Sequence, residues 1–415
     1  MAKKKIKVTK TLSEGAMSVE DIMASVRKKH GETSVMTFAD GVLTNVPVVS
    51  FGSLAIDHAV GVGGAPLGRI IEIYGPESSG KTTICKSLIA EAQKEGGICA
   101  FIDSEHAFDP KYARSLGVNT DELIFAQPES GEDALNLAES LLLTNSIRVL
   151  IIDSVATLVP RAELEGEAGE SHMGLQARLM SQALRKLTPL AKKANTVLVF
   201  TNQLRMKIGV MYGNPETTAG GNSLKYYASI RMDVRKIGTK DENGKAFKIS
   251  DGADKVAYCN TIRVKVVKNK VAPPFTIAET DIYFGTGFDK YSEIFNMAVK
   301  LGIIEKSGGW YKYDGESLGQ GQAAAIEKLR DDEEWADSLL EYIREYDNLE
   351  DEDENEELLE LQAKLEDLSK QEISTTASLG KEGLSDKKRK RLEKKLKSVQ
   401  EEIDQVESSI EELSE

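Results

Sequence analysis

From about residue 48 onwards, short runs of apolar residues alternate with longer amphipathic stretches. Four of these runs end in polar or glycine-rich residues: 70–74, 99–103, 149–153 and 197–201. Short apolar runs separated by helical segments are typical of a largely parallel sheet that helices cover on both faces. Because ligands bind such sheets beyond the carboxyl ends of the strands, the pattern predicts an α/β fold with its chemistry on one edge.

Other periodic segments flank this region on both sides. Ser18 fits a helix N-cap with Asp21 three residues later, so residues 18–29 are predicted to form an amphipathic helix. One helix after a basic leader cannot build a core, and we expect it to dock on its own domain or on a neighbouring subunit. Further strands are predicted at 261–267 and 280–284, and a small helix-rich module at 291–301, 308–313 and 323–346.

The last part of the chain carries apolar residues at coiled-coil spacing. Intervals of 4, 3, 4, 3, 4 and 3 residues separate Leu392, Leu396, Val399, Ile403, Val406, Ile410 and Leu413. A shorter series comes earlier, before a stretch that contains Gly380 and Gly383: Leu358, Leu361, Leu365 and Leu368. The two series predict an antiparallel helical hairpin. A solvated charged helix without a partner is the alternative.

Most of the net negative charge of the chain lies in its tail. The chain has 415 residues, is 40% hydrophobic and carries a formal net charge of -14. Residues 347–415 hold 22 acids against 11 bases, so the tail accounts for -11 of that charge. The region before the tail is therefore close to neutral, and the net charge does not exclude a nucleic-acid partner.

The cysteines and the apolar segments indicate in which cellular compartment the protein is expected. Cys85, Cys99 and Cys259 form no CxxC pair, which favours a reducing compartment. No apolar run follows the basic first ten residues, and no segment approaches the roughly 18–20 apolar residues of a membrane span. We therefore expect a cytoplasmic protein without a membrane partner.

A complete phosphate-binding motif follows the strand at 70–74. The motif GxxxxGK[ST] comprises Gly75, Pro76, Glu77, Ser78, Ser79, Gly80, Lys81 and Thr82, and Thr83 begins a helical stretch. Glycines let backbone N–H groups curl around phosphate oxygens, and the helix N-terminus adds its positive dipole. Lys81 is expected to neutralise the β and γ phosphates of ATP, and the Thr82 hydroxyl to bind Mg²⁺. A chance glycine turn is the alternative.

Two carboxylates are predicted at the same edge of the sheet. Asp153 ends the apolar run at 149–153, where an acid can orient Mg²⁺. Glu105 follows the run at 99–103, where a carboxylate can polarise the attacking water. An exposed surface glutamate is the alternative for Glu105.

Several motifs resemble those of the bacterial RecA family. They are GPESSGKTT at 75–83, FIDSEHA at 101–107, SHMG at 171–174, NQLRMK at 202–207, GVMYGNPET at 209–217 and VKVVKNK at 264–270. The resemblance runs from about residue 18 to 340. It implies a polymerisation helix with a basic leader at 1–46, a RecA-type ATPase core at 47–285 and a small α+β domain at 286–346. The helical-hairpin tail predicted from the coiled-coil spacing then occupies 347–415. It also implies DNA-dependent ATP hydrolysis, filaments on single-stranded DNA and strand exchange in recombination and repair.

The resemblance assigns roles to individual residues. Glu105 becomes the general base and Asp153 the Mg²⁺-orienting acid, while Tyr112 stacks on adenine and Asp109 also binds the nucleotide. Gln203 senses the γ-phosphate and passes its state to a DNA loop. Lys268 and Lys270 reach across the filament interface to the phosphates bound by a neighbouring subunit.

Two loops, 163–173 and 205–218, resemble the DNA-contacting loops of the family. The implied DNA-binding residues are Met173, Arg178, Arg185, Arg205, Lys207, Met211, Tyr212, Gly220 and Gly221. Basic residues and an aromatic among glycines suit a mobile loop that touches a phosphate backbone, although a lid that binds no nucleic acid is the alternative. Partners implied by the family are single- and double-stranded DNA, further copies of the chain, and loader, single-strand-binding or repressor proteins.

Some features depart from the family pattern. Lys225-Tyr226 stands where the family usually has Lys-Phe, residues 239–258 form a longer polar insertion, and the tail after Asp347 is unusually long. We hypothesise that the acidic strip 347–360 competes with DNA for the basic surface of the core. Two rival functions stay open: a nucleoprotein coat with negligible ATP turnover, and a hexameric motor or helicase on the same core.

Overall fold

The computed structural model describes residues 18–31, 35, 46–167, 174–206, 215–241, 244–246, 256–344, 368, 396–400, 403 and 406. The helices are α1 (Val19–His30), α2 (Leu54–Val60), α3 (Lys81–Lys94), α4 (Pro110–Ser115), α5 (Gly131–Leu143), α6 (Arg161–Leu164), α7 (Leu175–Ala194), α8 (Ser223–Tyr227), α9 (Lys290–Lys300) and α10 (Gln322–Asp331). The strands are β1 (Val48–Val49), β2 (Ala65–Pro66), β3 (Ile70–Gly75), β4 (Ile98–Asp103), β5 (Ile124–Ala126), β6 (Ile147–Asp153), β7 (Val197–Met206), β8 (Glu216–Thr218), β9 (Ile230–Lys240), β10 (Cys259–Lys268), β11 (Ile277–Tyr283), β12 (Gly287–Phe288), β13 (Glu305–Ser307), β14 (Trp310–Tyr313) and β15 (Glu316–Gln320). Residues 333–344 are also helical.

One large sheet organises the chain up to β12. Its strand order is β12-β11-β10-β9-β3-β7-β6-β4-β5, and β8 pairs with β7. Parallel pairing joins β9, β3, β7, β6, β4 and β5, while β9 to β12 pair antiparallel. The prediction of a mostly parallel sheet is therefore confirmed. The parallel strands bring the carboxyl ends of β3, β4, β6 and β7 to one edge.

Helices cover both faces of this sheet, and the alternation of its side chains explains how. In β3, Ile71 and Ile73 join a core with helix α3, whereas Ile70 joins a separate core with α5 and α7. The same alternation runs along β6, where Val149 and Leu150 belong to opposite cores. Burial on both faces requires apolar residues at successive positions, which is why these strands appear in the sequence as continuous apolar runs.

Helix α1 begins with the predicted cap. The Ser18 hydroxyl accepts a hydrogen bond from the Asp21 backbone N–H at 3.1 Å, and the Asp21 carboxylate accepts one from the Ser18 hydroxyl at 2.8 Å. Val19 and Ile22 on this helix are 60% and 50% exposed. Docking of these side chains on a neighbouring subunit stays a prediction.

The small C-terminal domain is α+β, as the resemblance implied, and it combines the helices that the pattern of residues 291–346 predicted with a sheet that the pattern did not indicate. Helices α9, α10 and 333–344 pack around an antiparallel sheet of order β13-β14-β15, and Ile294, Phe295 and Leu329 lie in its core. Tight turns at glycines close the sheet: Gly308 has φ 60° and Gly315 has φ 78°, conformations that glycine adopts without steric cost. Strands this short carry too few residues for a periodic signal. The proposed divisions at residues 46, 285 and 346 stay predictions.

The described residues of the tail are helical and form their own apolar cluster. Leu368, Val399 and Val406 are buried together, and Ile403 packs against them. Leu368 comes from the shorter leucine series and the other three from the longer one. The remaining positions of the predicted hairpin lie outside the described residues.

Among the helices that the structure describes, none is long and apolar enough to cross a bilayer.

Candidate functional site

The phosphate loop lies between the end of β3 and the start of α3. Gly80 takes φ 99° as the N-cap of α3, and no side chain caps that end of the helix. The first N–H groups of α3 therefore face the loop, as anion binding requires. The Lys81 Nζ donates to the carbonyl oxygens of Gly75 at 3.2 Å and Pro76 at 2.7 Å. Burial lowers the pKa of Lys81, while the Asp153 and Glu105 carboxylates oppose that shift.

Thr82 and Asp153 meet beside the loop, as a magnesium site requires. The Thr82 hydroxyl donates to Asp153 Oδ2 at 2.8 Å, and the Thr201 hydroxyl donates to Asp153 Oδ1. Burial raises the pKa of Asp153, against the effect of these two hydrogen bonds. A cation at this carboxylate would offset the cost of burying its charge. In the part of the chain that the structure describes, the buried Ser79 hydroxyl of the loop has no hydrogen-bond partner, so the donors present fit a magnesium nucleotide.

Glu105 lies next to this pair and is held by two donors. Its Oε1 accepts from the Ser154 hydroxyl at 2.5 Å and from the Gln203 side-chain amide at 2.9 Å. The Arg205 guanidinium donates to Gln203 Oε1 at 3.2 Å. A continuous line of hydrogen bonds thus links the carboxylate at the end of β4 to an arginine near the end of β7.

The phosphate loop, Asp153, Glu105 and Gln203 line one open cleft of about 360 Å³. Tyr112 forms part of its wall, and its hydroxyl lies 3.0 Å from the Thr83 hydroxyl. Asp109 caps helix α4 by accepting from the Lys111 and Tyr112 backbone N–H groups, and these hydrogen bonds lower the pKa of Asp109. The opposite side of the cleft consists of residues that the sequence did not identify: Asn260, Ile262, Ile282 and Phe284.

Lys268 and Lys270 are not among the described residues that line the cleft. The Lys268 Nζ donates to the carbonyl oxygens of Lys225 at 2.6 Å and Tyr226 at 3.1 Å, and the Lys270 Nζ to that of Tyr226 at 3.4 Å. Tyr226 itself is 73% exposed. Both lysines therefore form one surface with α8, apart from the phosphate loop of their own chain.

The residues expected to bind DNA are only partly within the described ranges. Arg178 and Arg185 are exposed on α7, and Arg205 is exposed near the end of β7. Gly220 and Gly221 both have φ 78°, and a Cβ added to either would lie 2.7–2.8 Å from Val155 or Ala177. Such close approach requires glycine at both positions. Met173, Lys207, Met211 and Tyr212 lie outside the described residues.

Two side chains that orient the carboxylates of the site were not predicted from the sequence. Ser154 directly follows Asp153, and Thr201 lies at the end of the apolar part of β7; both are fully buried. Their hydroxyls orient the two carboxylates of the site. Serine and threonine are common at strand ends, so their types and positions alone carried no signal.

The family model of the RecA N-terminal domain matches residues 17–289, and that of the RecA C-terminal domain matches residues 292–347. The Protein RecA of Rhodospirillum rubrum is 51% identical over 338 residues, which cover 81% of this chain and 89% of the relative. Those of Teredinibacter turnerae and Desulforapulum autotrophicum are each 52% identical, covering 79% and 80% of this chain and 92% and 93% of the relatives.

Proposed function

Because the chain belongs to the RecA family, we propose that it is a DNA-dependent ATPase that forms helical filaments on single-stranded DNA. In these filaments it catalyses homologous pairing and strand exchange for recombination and repair. The observation that carries the proposal is the juxtaposition of a complete phosphate loop, the Thr82–Asp153 pair and the restrained Glu105 carboxylate in one cleft.

Hydrolysis at this site is a matter of positioning and electrostatics. Lys81 and the N-terminus of α3 hold the β and γ phosphates, and Thr82 and Asp153 hold Mg²⁺, which supplies positive charge against the phosphate oxygens. Glu105 accepts a proton from the attacking water, and Ser154 and Gln203 fix the orientation of its carboxylate. Tyr112 provides the platform for the base.

The surface around α7 and the end of β7 binds the DNA. Arg178, Arg185 and Arg205 supply exposed cations there, and Gly220 and Gly221, which pack closely against Val155 and Ala177, adjoin this surface. Lys268 and Lys270 act on the nucleotide of a neighbouring subunit. Loader, single-strand-binding or repressor proteins are further partners of a cytoplasmic filament of this kind.

The test combines turnover with imaging. ATP hydrolysis is measured with and without single-stranded DNA for the native chain and for Lys81→Ala, and the same samples are imaged with a non-hydrolysable ATP analogue. We expect DNA-stimulated hydrolysis, open helical filaments, and loss of both with Lys81→Ala. Filaments with negligible turnover would instead indicate a structural coat, and closed rings would indicate a hexameric motor.

A further inference from the structure

Lys86 is a buried lysine that the proposed chemistry does not use. It lies on α3, five residues after Lys81, and its side chain is 3% exposed. Its Nζ is 4.6 Å from the ring centroid of Phe108 and 5.1 Å from that of Tyr112. Its hydrogen bond, to the Asp109 carbonyl oxygen, is long at 3.5 Å. The ammonium group is therefore held mainly between two aromatic rings.

A lysine in this position is costly for the fold. Burial lowers the pKa of Lys86, and the carboxylates of Asp109, Asp153 and Asp103 only oppose that shift. The neighbouring positions of α3 hold apolar residues that pack in the core, among them Ile84 and Leu88. An apolar residue at position 86 would avoid the desolvation of a cation. Packing alone therefore does not account for the choice of lysine.

The position of Tyr112 suggests what the lysine does. Tyr112 is fixed at its hydroxyl by Thr83 and at its backbone N–H by the Asp109 carboxylate. Its ring lies over the Lys86 ammonium, yet Tyr112 lines the nucleotide cleft and Lys86 does not. A cation close to an aromatic ring is attracted to its π electrons and draws density towards itself. The remaining surface of the ring is then electron-poor, which strengthens stacking on an electron-rich purine.

We propose that Lys86 is a positioning residue, which orients Tyr112 and strengthens its stacking on the base of the bound nucleotide. The proposal rests on the nucleotide site proposed above. It predicts that Lys86 contributes to recognition of the base and not to binding of the phosphates, because the ammonium lies behind Tyr112 and outside the cleft.

Lys86→Met separates these contributions, since methionine fills a similar volume without the charge. We expect the KM for ATP to rise roughly 5- to 30-fold, as loss of a desolvated cation–π contact implies, with kcat at saturating ATP changed less than about twofold. Inorganic tripolyphosphate, which lacks a base, should inhibit the variant and the native chain with the same inhibition constant. Lys94→Met makes the same change at the exposed end of α3, where the lysine pairs with Glu91, and should leave the KM unaltered.

Two further measurements distinguish this role from a structural one. Lys86→Met should unfold at the same temperature as the native chain or higher, because a buried cation has been removed. In a Tyr112→Leu background, Lys86→Met should change the KM less than about twofold, because the contact through which it acts is gone. A lower unfolding temperature with equal losses for ATP and tripolyphosphate, or an undiminished effect without Tyr112, would overturn the proposal. If the native chain bound no ATP, the proposed function itself would fail.

Discussion

Glu105 is the side chain whose chemistry can be isolated most cleanly. Glu105→Gln keeps the size of the group and an oxygen for the Ser154 hydroxyl, but an amide cannot accept a proton from water. We expect ATP affinity to stay within about threefold and DNA-stimulated turnover to fall roughly 10²- to 10⁴-fold. Binding of a fluorescent ATP analogue measures the affinity, and steady-state hydrolysis measures the turnover. Glu122→Gln, at an exposed glutamate, serves as the control. Turnover near the native rate would mean that another group is the base.

A second residue of interest is Asp57, which lies at the junction between the core and the small domain. Its carboxylate accepts from the Ser50 hydroxyl at 2.5 Å and the Phe51 N–H at 2.8 Å. Burial raises the pKa of Asp57 to about 7, and the nearby Glu293 carboxylate adds to the shift. Glu293 in turn accepts from the Ser53 hydroxyl at 2.7 Å and the Leu54 N–H at 2.6 Å. Glu293 therefore connects α9 to the N-terminus of α2, and Asp57 ties α2 to the segment before it.

The pH dependence of stability follows from the sign of this shift. Because the pKa of Asp57 is higher in the folded than in the unfolded chain, its contribution is fully present below its usual 3.8 and is lost as pH rises to about 7. The loss over that window corresponds to roughly 4 kcal/mol. Thermal unfolding of Asp57→Asn should therefore show a flatter decline between pH 4 and 7 than that of the native chain. Asp121→Asn, at an exposed aspartate, should decline as steeply as the native chain. If stability fell equally with pH in all three proteins, the raised pKa of Asp57 would be contradicted.

These two acids could not have been identified from the sequence. Ser53 and Glu293 are 240 residues apart, and neither has a spacing that points to the other. By contrast, the loop from Gly75 to Thr82 and the acid Asp153 were predicted because each directly follows an apolar strand. Local sequence indicates residues whose function depends on one turn or strand end. Contacts made by the packing of separate elements, such as that of Lys86 on α3 with Tyr112 on α4, carry no such signal.

At the scale of secondary-structure elements, the length of each strand determined whether the hydrophobic pattern could predict it. The strands of the parallel sheet are confirmed because burial on both faces leaves a continuous apolar run, as in β6 with its buried Val149 to Ile152. The short strands β13 to β15 were missed because each is five residues or fewer and largely exposed. The segment 323–346 of the predicted helix-rich module contains two helices, because α10 ends at Asp331 and a second helix begins at residue 333.

The tail hairpin gives a prediction at this scale. Leu368 is buried against Val399 and Val406, so its truncation removes the contact between the two leucine series. Leu368→Ala should cost the local structure about 2–5 kcal/mol and raise hydrogen exchange of the amides from residue 396 to 406. Ser398→Ala changes an exposed position of the same helix and should leave exchange unaltered. Unchanged exchange in Leu368→Ala would favour a solvated helix without a partner.

At the scale of the whole molecule, we predict that Lys268 and Lys270 complete the active site of a neighbouring subunit. Both lysines pack against α8 of their own chain and not in its phosphate cleft. Lys81→Ala subunits and Lys268→Ala/Lys270→Ala subunits should each be inactive alone. An equal mixture should recover up to about a quarter of native DNA-stimulated hydrolysis, because one interface in four combines two intact halves. Mixtures that form filaments without any hydrolysis would contradict a shared site.

The acidic tail should control which DNA the filament binds. Residues 347–360 carry nine acids and no base, and they begin three residues after the last residue of the helix at 333–344. A strip of this charge can occupy the basic surface that DNA would otherwise bind, and salt or Mg²⁺ weakens the contact by screening it.

Truncation after Tyr346 tests this competition. We expect the shortened chain to bind duplex DNA more tightly at low Mg²⁺, with a difference that shrinks as salt is raised towards about 0.15 M, where the Debye length is near 8 Å. Hydrolysis at saturating single-stranded DNA should stay within about twofold of native, because the tail contains none of the groups that bind or hydrolyse ATP. A full-length control with residues 347–360 neutralised to Asn and Gln separates charge from hairpin: it should behave like the truncation if charge is responsible. Duplex affinity that is the same in all three proteins would mean that the strip does not compete with DNA.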